Sequence, residues 1–234
     1  MTMPFPELWQ SFLVAFLAYF AAIGPIDVAA IFATITAGAG PKARRAMALK
    51  GVAIAACILV AFLAFGPALL KHLGISLAAL RTAGGILLFL IALDMVFARH
   101  SGGSSASDEE RAEAVGKDDV SVFPLATPLI AGPGAIGLTV LLIAEREGEP
   151  VRIAAVVTAL VAILLLTYLL LLGATRIQKL LGVTGLNVVT RVVGVLLAAL
   201  AVQFVFDGLA GSGLWAAGAE KGAALLDSVP SNPT

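Results

Sequence analysis

Asp27 lies two residues past Gly24-Pro25, inside an apolar run that extends over residues 8–37. A carboxylate in such a run is expensive in lipid and is ordinarily functional. It could bind a substrate amine, hold a sodium ion or carry a coupling proton. It also has a structural use, because a carboxylate in the first turn of a helix caps N–H groups and complements the helix dipole. The Gly-Pro dipeptide recurs 108 positions later as Gly132-Pro133, followed by Gly134 and Ala135. Proline at the first helical position has no N–H to lose, and the residue before it is driven out of the α region. Each Gly-Pro therefore ends one half-helix and starts another in mid-span, leaving N–H groups and a positive dipole end there. Such termini suit a carboxylate or another anionic group. The expected substrate-contacting set is Gly24, Pro25, Asp27, Gly132, Pro133, Gly134 and Ala135. Thr34 joins it if its hydroxyl faces a cavity and not its own helix carbonyls, and Thr36 poses the same choice.

These residues must be held by membrane-spanning elements. The chain has 234 residues, 60% hydrophobic and only 13% charged, with a mean hydropathy of +1.02. That is more apolar surface than one soluble core of this size can hide. Fifteen basic and fifteen acidic residues balance to a net charge of zero, which argues against a nucleic-acid partner. Cys57 is the only cysteine and lies in an apolar run. His72 and His100 stand apart, so no metal site, no cofactor and no catalytic constellation can be assembled, and an enzyme is not expected. The first ten residues contain no Lys or Arg, so the first apolar run is expected to be retained and not cleaved as a signal peptide.

Apolar runs cover residues 8–37, 51–70, 75–97, 120–144, 153–175 and 186–206. Each is long enough to cross a bilayer, and lipid offers backbone groups no partners, so all six are expected to be helices. Between the third and fourth runs lies a charged, Ser/Gly-rich linker that cannot bury itself. With alternating spans, ten cations, including Lys42, Arg44, Arg45 and Lys50, fall on the side of the first, third and fifth loops, and five fall on the other. The cation bias places that side in the cytoplasm and both termini outside. Trp215 follows the last run where an interfacial aromatic would sit.

The spacing also reveals a repeat. Leu73-Gly74 recurs at Leu181-Gly182, Arg81-x-x-Gly84 at Arg191-x-x-Gly194, and Val96-Phe97 at Val205-Phe206, with offsets of 108 to 110. Each half is then one broken helix followed by two intact ones. Three spans per half is odd, so the second half enters the membrane with the opposite sense, which is a signature of secondary transporters. The expected organisation is residues 1–97 as the first three-helix repeat, 98–119 as linker, 120–208 as the inverted second repeat and 209–234 as a tail. The fold class is an all-α membrane protein of six transmembrane helices, with helices 1 and 4 broken. Arg81 and Arg191, equivalent in the repeat, either snorkel to the interface or take part in gating. Asp27 is the third candidate for coupling or gating. Gly84-Gly85 and Gly194 are read as close-packing positions. Asp94, with Arg99 after it, is read as interfacial, and Asn187 and Thr190 either cap the last helix or reach the cavity.

The run from Pro124 to Ile136, PLATPLIAGPGAI, resembles the signature of the MarC family of integral membrane proteins, and the segment from Thr190 to Phe204 is similar to that family's last helix. The resemblance covers about residues 8–208 and implies a six-helix inverted-repeat protein of the bacterial inner membrane, grouped with neutral amino-acid transporters. In the first helix the family's motif reads D-P-x-G-N-x-P-x-F. Pro25 and Phe32 match it, while Gly24, Asp27, Val28 and Ala30 replace its Asp, Gly, Asn and second Pro.

The function expected from all of this is a secondary transporter or exporter of a small solute, a neutral amino acid or similar zwitterion, working by alternating access. The sequence shows no ATP-binding P-loop, so coupling to H+ or Na+ or downhill flow would drive it. A small-solute channel and a non-transporting scaffold or partner protein are the competing readings.

Overall fold

The computed structural model describes the backbone of residues 5–97, 119–146 and 148–213. It gives side chains within those ranges, except at 5–7, 175–184, 186, 187 and 189. The expected linker, the tail beyond residue 213, Arg99, His100, Trp215 and the side chain of Asn187 therefore lie outside the described residues.

Every described element is helical: α1 (Phe5–Ile23), α2 (Pro25–Ile35), α3 (Pro41–Leu73), α4 (Leu77–Phe97), α5 (Ser121–Ile130), α6 (Pro133–Ala144) and α7 (Pro150–Gly211). α1 and α2 together make one apolar span, Leu8–Ile35. α3 and α4 are each long and apolar enough to cross a membrane, and α5 with α6 forms a span bent by 54°. α7 carries two more, Pro150–Ala174 and Thr190–Gly211. The sequence places a loop between the last two runs; the chain does turn back there, with helical winding continuing through the turn.

Side-chain neighbours fix the direction of each span. Leu8, Trp9 and Phe12 share a groove with Val151, Ala154 and Thr158, while Phe32 and Thr36 meet Leu171 and Ala174 at the other end. The first span and residues 150–174 thus run in parallel. Gly51 packs on Ser121 and Leu125, and Gly66 on Val140, so α3 runs alongside α5 and α6 in the same sense. Gly84 meets Leu141 and Gly134 meets Ile91, which makes α4 antiparallel to α6. Gly194 packs on Ala92, Met95 and Val96, and Gly208 on Ala78 and Thr82. Residues 190–211 therefore return antiparallel to α4, and the chain reverses between 174 and 190. One end of the bundle gathers the cation-bearing start of α3, and the opposite end gathers the α6–α7 turn and the start of α4.

In lipid, close backbone approach replaces the hydrophobic effect as the main attraction between helices. The seam between α4 and residues 190–211 shows it. A Cβ on Gly85 would stand 2.8 Å from the Ala201 carbonyl, and one on Gly208 would stand 2.7 Å from the Thr82 nitrogen. The glycines read as packing positions do pack. Phe65, Leu69, Leu165, Leu169, Leu196 and Phe206 instead point outward, as a lipid-facing surface requires.

Candidate functional site

The two broken spans cross in opposite senses. α1 packs against α6 and α2 against α5, so the breaks lie at the same level of the bundle. They are built differently.

At the first break Gly24 adopts the left-handed conformation, φ 60° and ψ 57°, and Pro25 opens α2. A left-handed residue followed by a proline lets the chain step from one helix to the next with little loss of hydrogen bonding. Gly24 N donates to the Phe20 carbonyl and Val28 N to the Gly24 carbonyl, both at 2.9 Å. No side chain from the N-cap position satisfies the new helix end. Asp27 sits in the first turn of α2, half-buried, and a Cβ on Gly24 would lie 3.5 Å from its Oδ2. Its carboxylate thus turns back over the break, where the dipole favours a negative charge. Gly24 and Pro25 are buried.

The second break is wider. In α5, Leu125 N bonds the Val120 carbonyl and Ala131 N the Ala126 carbonyl, a five-residue spacing that marks π-helical winding. Pro124 and Pro128 supply no N–H, and Phe123 and Thr127 before them are extended, with φ near −130°. The sequence places breaks at Pro124, Pro128 and Gly132-Pro133-Gly134; the two upstream prolines interrupt the first half of the span at the extended Phe123 and Thr127, and the five-residue hydrogen bonds bridge those interruptions. Gly132 is itself extended, φ −80° and ψ 172°, and needs no left-handed freedom. It needs space, because a Cβ there would stand 2.5 Å from the Pro128 carbonyl oxygen. Gly134 and Ala135 are buried, the former under Ile91, while Pro133 is exposed. No side chain caps this helix start either.

The remaining expected residues scatter. Thr34 is exposed and its hydroxyl donates to the Ala30 carbonyl at 3.1 Å, so the structure does not bring it to the breaks. The Thr36 hydroxyl is buried and donates to the Phe32 carbonyl at 2.6 Å. Arg81 and Arg191, equivalent in sequence, are not equivalent in surroundings. Arg191 is exposed, whereas Arg81 Nε donates to Glu145 Oε1 at 2.6 Å in a partly buried pair that ties α4 to the end of α6.

Three polar residues escaped the sequence reading. Glu145 follows the apolar run of α6, and only the fold reveals that Arg81 is across from it. Arg146 donates to the Leu142 carbonyl at 3.0 Å and approaches Glu145 at 3.4 Å. Burial pushes its guanidinium below the ordinary arginine range, and Glu145 works in the opposite direction. Tyr19, on α1, is fully buried beside Thr139 of α6, whose own hydroxyl proton is committed to the Ala135 carbonyl. The Tyr19 hydroxyl makes no hydrogen bond among the described residues. A buried phenol left unpaired costs about 1–3 kcal/mol. A lone tyrosine inside an apolar run was the signal available in the sequence.

The two ends of the bundle contrast. At the α6–α7 end, Arg81, Glu145 and Arg146 close the packing between α4 and α6. At the cation-rich end a cavity of about 370 Å³ opens, lined by Phe32, Thr36, Pro41, Arg44, Arg45, Leu171, Leu172 and Ala174. Close by, Lys50 Nζ meets Asp119 Oδ2 at 2.6 Å, and Asp119 Oδ1 accepts from Ser121 N at the start of α5. These hydrogen bonds from Lys50 and Ser121 hold the Asp119 carboxyl down to about 2.

The comparison with known proteins agrees with this architecture. The model of the MarC family integral membrane proteins matches residues 9–212. The chain is similar to the UPF0056 membrane protein YvbG of Bacillus subtilis, 40% identical over 86% of this chain and 95% of that one. It is likewise similar to UPF0056 membrane protein MJ1677 of Methanocaldococcus jannaschii, 38% identical over 87% and 98%. For the UPF0056 membrane protein YhcE of Escherichia coli the identity is 32% over 84% and 90%. No solved structure matches. With bent and broken spans where the PLATPLIAGPGAI segment predicts them, and a match along nearly its whole length, the chain belongs to the MarC family of integral membrane proteins.

Proposed function

We propose that this protein is a secondary transporter or exporter of a small zwitterionic solute of the neutral amino-acid class, working by alternating access without a resident cofactor or enzymatic step. The observation that carries this reading is the pair of broken spans of opposite sense, with both breaks at the same level. Half-helix ends at mid-membrane are a recurring way for transporters to contact charged solute groups. The inverted three-helix repeat receives support from matched contacts. Gly66 packs on Val140, and their counterparts 108 residues away, Ala174 and Phe32, line one cavity. Gly194 packs on Ala92, Met95 and Val96, and Gly85 on Ala201 and Val205, which is within one residue of the same pairing under the 110-residue offset.

In this reading the solute's carboxylate lies near Gly132–Ala135 and its amine near Asp27, beside Gly24 and Pro25. Asp27 also serves as the candidate H+ or Na+ coupling group. The Arg81–Glu145 pair keeps one end shut while the cavity opens at the other. Arg191, exposed, has a weaker claim to gating. The cation-rich end faces the cytoplasm of a bacterial inner membrane, with both termini outside.

The test is uptake of labelled neutral amino acids into proteoliposomes under imposed proton and sodium gradients, after a thermal-shift screen of the purified chain with the same solutes. Saturable uptake that falls at least tenfold in Asp27→Asn is the expected result. Unchanged flux and solute-induced stabilisation in both Asp27→Asn and Pro133→Ala would leave the scaffold reading standing, and flux that never saturates would favour a channel.

A further inference from the structure

We propose that the cavity at the cation-rich end is a binding site for the headgroup of an anionic phospholipid. It lies between α2, the start of α3 and the end of the Pro150–Ala174 span, where the membrane-spanning stretch of three elements runs out. Its walls have two characters. Phe32, Pro41, Leu171, Leu172 and Ala174 are apolar, and Leu172 is exposed on the outer surface. Arg44 and Arg45 provide the charge, and none of the described lining residues is acidic.

Arg44 is held in place by the chain itself. Its Nε donates to the Thr36 carbonyl at 2.9 Å and its Nη2 to the Ala37 carbonyl at 3.1 Å, so it caps the end of α2. No other bond of Arg44 is made among the described residues, which leaves the rest of its fork for a ligand. Arg45 is exposed. The Thr36 hydroxyl proton is already committed to the Phe32 carbonyl, so the available side-chain donors among the described lining residues are the two guanidinium groups. An apolar wall meeting two arginines at the rim of the span, one of them held in place, fits an amphiphile with an anionic head. Basic pockets between transmembrane helices on a positively charged face are where such headgroups are captured. Guanidinium forks match phosphate oxygens in geometry as well as charge.

The proposal does not depend on transport and is tested by binding alone. The whole chain is purified, placed in phosphatidylcholine nanodiscs with or without phosphatidylglycerol, and assayed for retained lipid by native mass spectrometry and for thermal stability. Phosphatidylglycerol is expected to be retained and to raise the midpoint. One arginine near a membrane surface contributes about 1 kcal/mol, so Arg45→Glu should weaken phosphatidylglycerol binding about fivefold or more. Arg45 is exposed, so this variant keeps the fold, and Arg44→Gln should show a loss in the same direction. Lys42→Glu lies on the same face outside the cavity and is expected to cost less than twofold. Undiminished binding in Arg45→Glu overturns the site, and so does an equal loss in Lys42→Glu, which would mean diffuse surface attraction. Inorganic phosphate added to phosphatidylcholine nanodiscs should give no shift; a shift equal to that of phosphatidylglycerol would make this a site for free anions and overturn the lipid assignment.

Discussion

The first and second broken spans start from the same dipeptide and reach the same result by different means. At Gly24 the backbone turns left-handed, and the hydrogen-bond ladder resumes at once. At Gly132 it runs extended after a π-wound segment with two prolines, and the span bends by 54°. The second span is also pinned at both ends to the first half of the chain, by Asp119 to Lys50 of α3 and by Glu145 to Arg81 of α4. The first span carries a carboxylate at its break; the second has none there. The shared Gly-Pro therefore marks a break in each span, but sets neither its shape nor its charge.

The largest expected effect separates the two glycines by cause. Gly132→Ala puts a methyl 2.5 Å from the Pro128 carbonyl oxygen, a backbone atom that cannot step aside. A loss of about 3 kcal/mol is expected, the upper range for overpacking. Gly24→Ala meets ordinary contacts and suffers only the left-handed penalty of about 1–2 kcal/mol. Asn should be better tolerated than Ala at position 24 and no better at 132. Thermal midpoints in detergent decide this, and a larger loss at position 24 would erase the distinction.

Next comes the outer tie of the second span. Arg81→Ala removes the shorter of the two ion pairs of Glu145, which is only 11% exposed and keeps Arg146 at 3.4 Å, and a loss of about 1–3 kcal/mol is expected, below the range for a fully buried pair. A double-mutant cycle with Glu145→Gln should show coupling near 1 kcal/mol or more. Arg191→Ala, its counterpart by sequence, should change stability by about 0.5 kcal/mol or less, as surface substitutions usually do. Equal effects at the two arginines would restore the symmetry that the ion pair breaks.

The smallest effect lies at the start of α5. Asp119 has a carboxyl held at about 2, below the usual value, so its contribution is present above pH 4 or so. It is lost as pH falls from there through the folded value. Because Lys50 and Asp119 are about half exposed, the contribution is well under about 1 kcal/mol. Asp119→Asn should lower the neutral-pH midpoint by no more than that small contribution, with the two chains converging as pH falls to about 2, and parallel profiles over that range would show that the tie does not hold the span.

The sequence reading reached the architecture because lipid makes composition decisive: an apolar run must be helical, and Gly-Pro must interrupt it. Packing glycines at 84, 85 and 194 were legible for the same reason, since only small residues let helices approach closely. Charge partners were not legible. Arg81 and Glu145 are 64 positions apart, and nothing in local pattern links them. The turn between the last two apolar runs was legible from its polar residues, but the helical winding that continues through it was not. Thr34 allowed two orientations by sequence, and in the structure its hydroxyl bonds back to the Ala30 carbonyl.

The glycine seam between α4 and residues 190–211 has a mechanical consequence. Its backbones are interlocked at Gly85, Gly194 and Gly208, where not even one methyl fits. Sliding the two helices by a residue would drive side chains into those gaps, so the pair resists shear and behaves as a single beam. In the proposed alternating access, relative motion then falls to the interrupted spans, with the stiff pair as the pivot against which they turn.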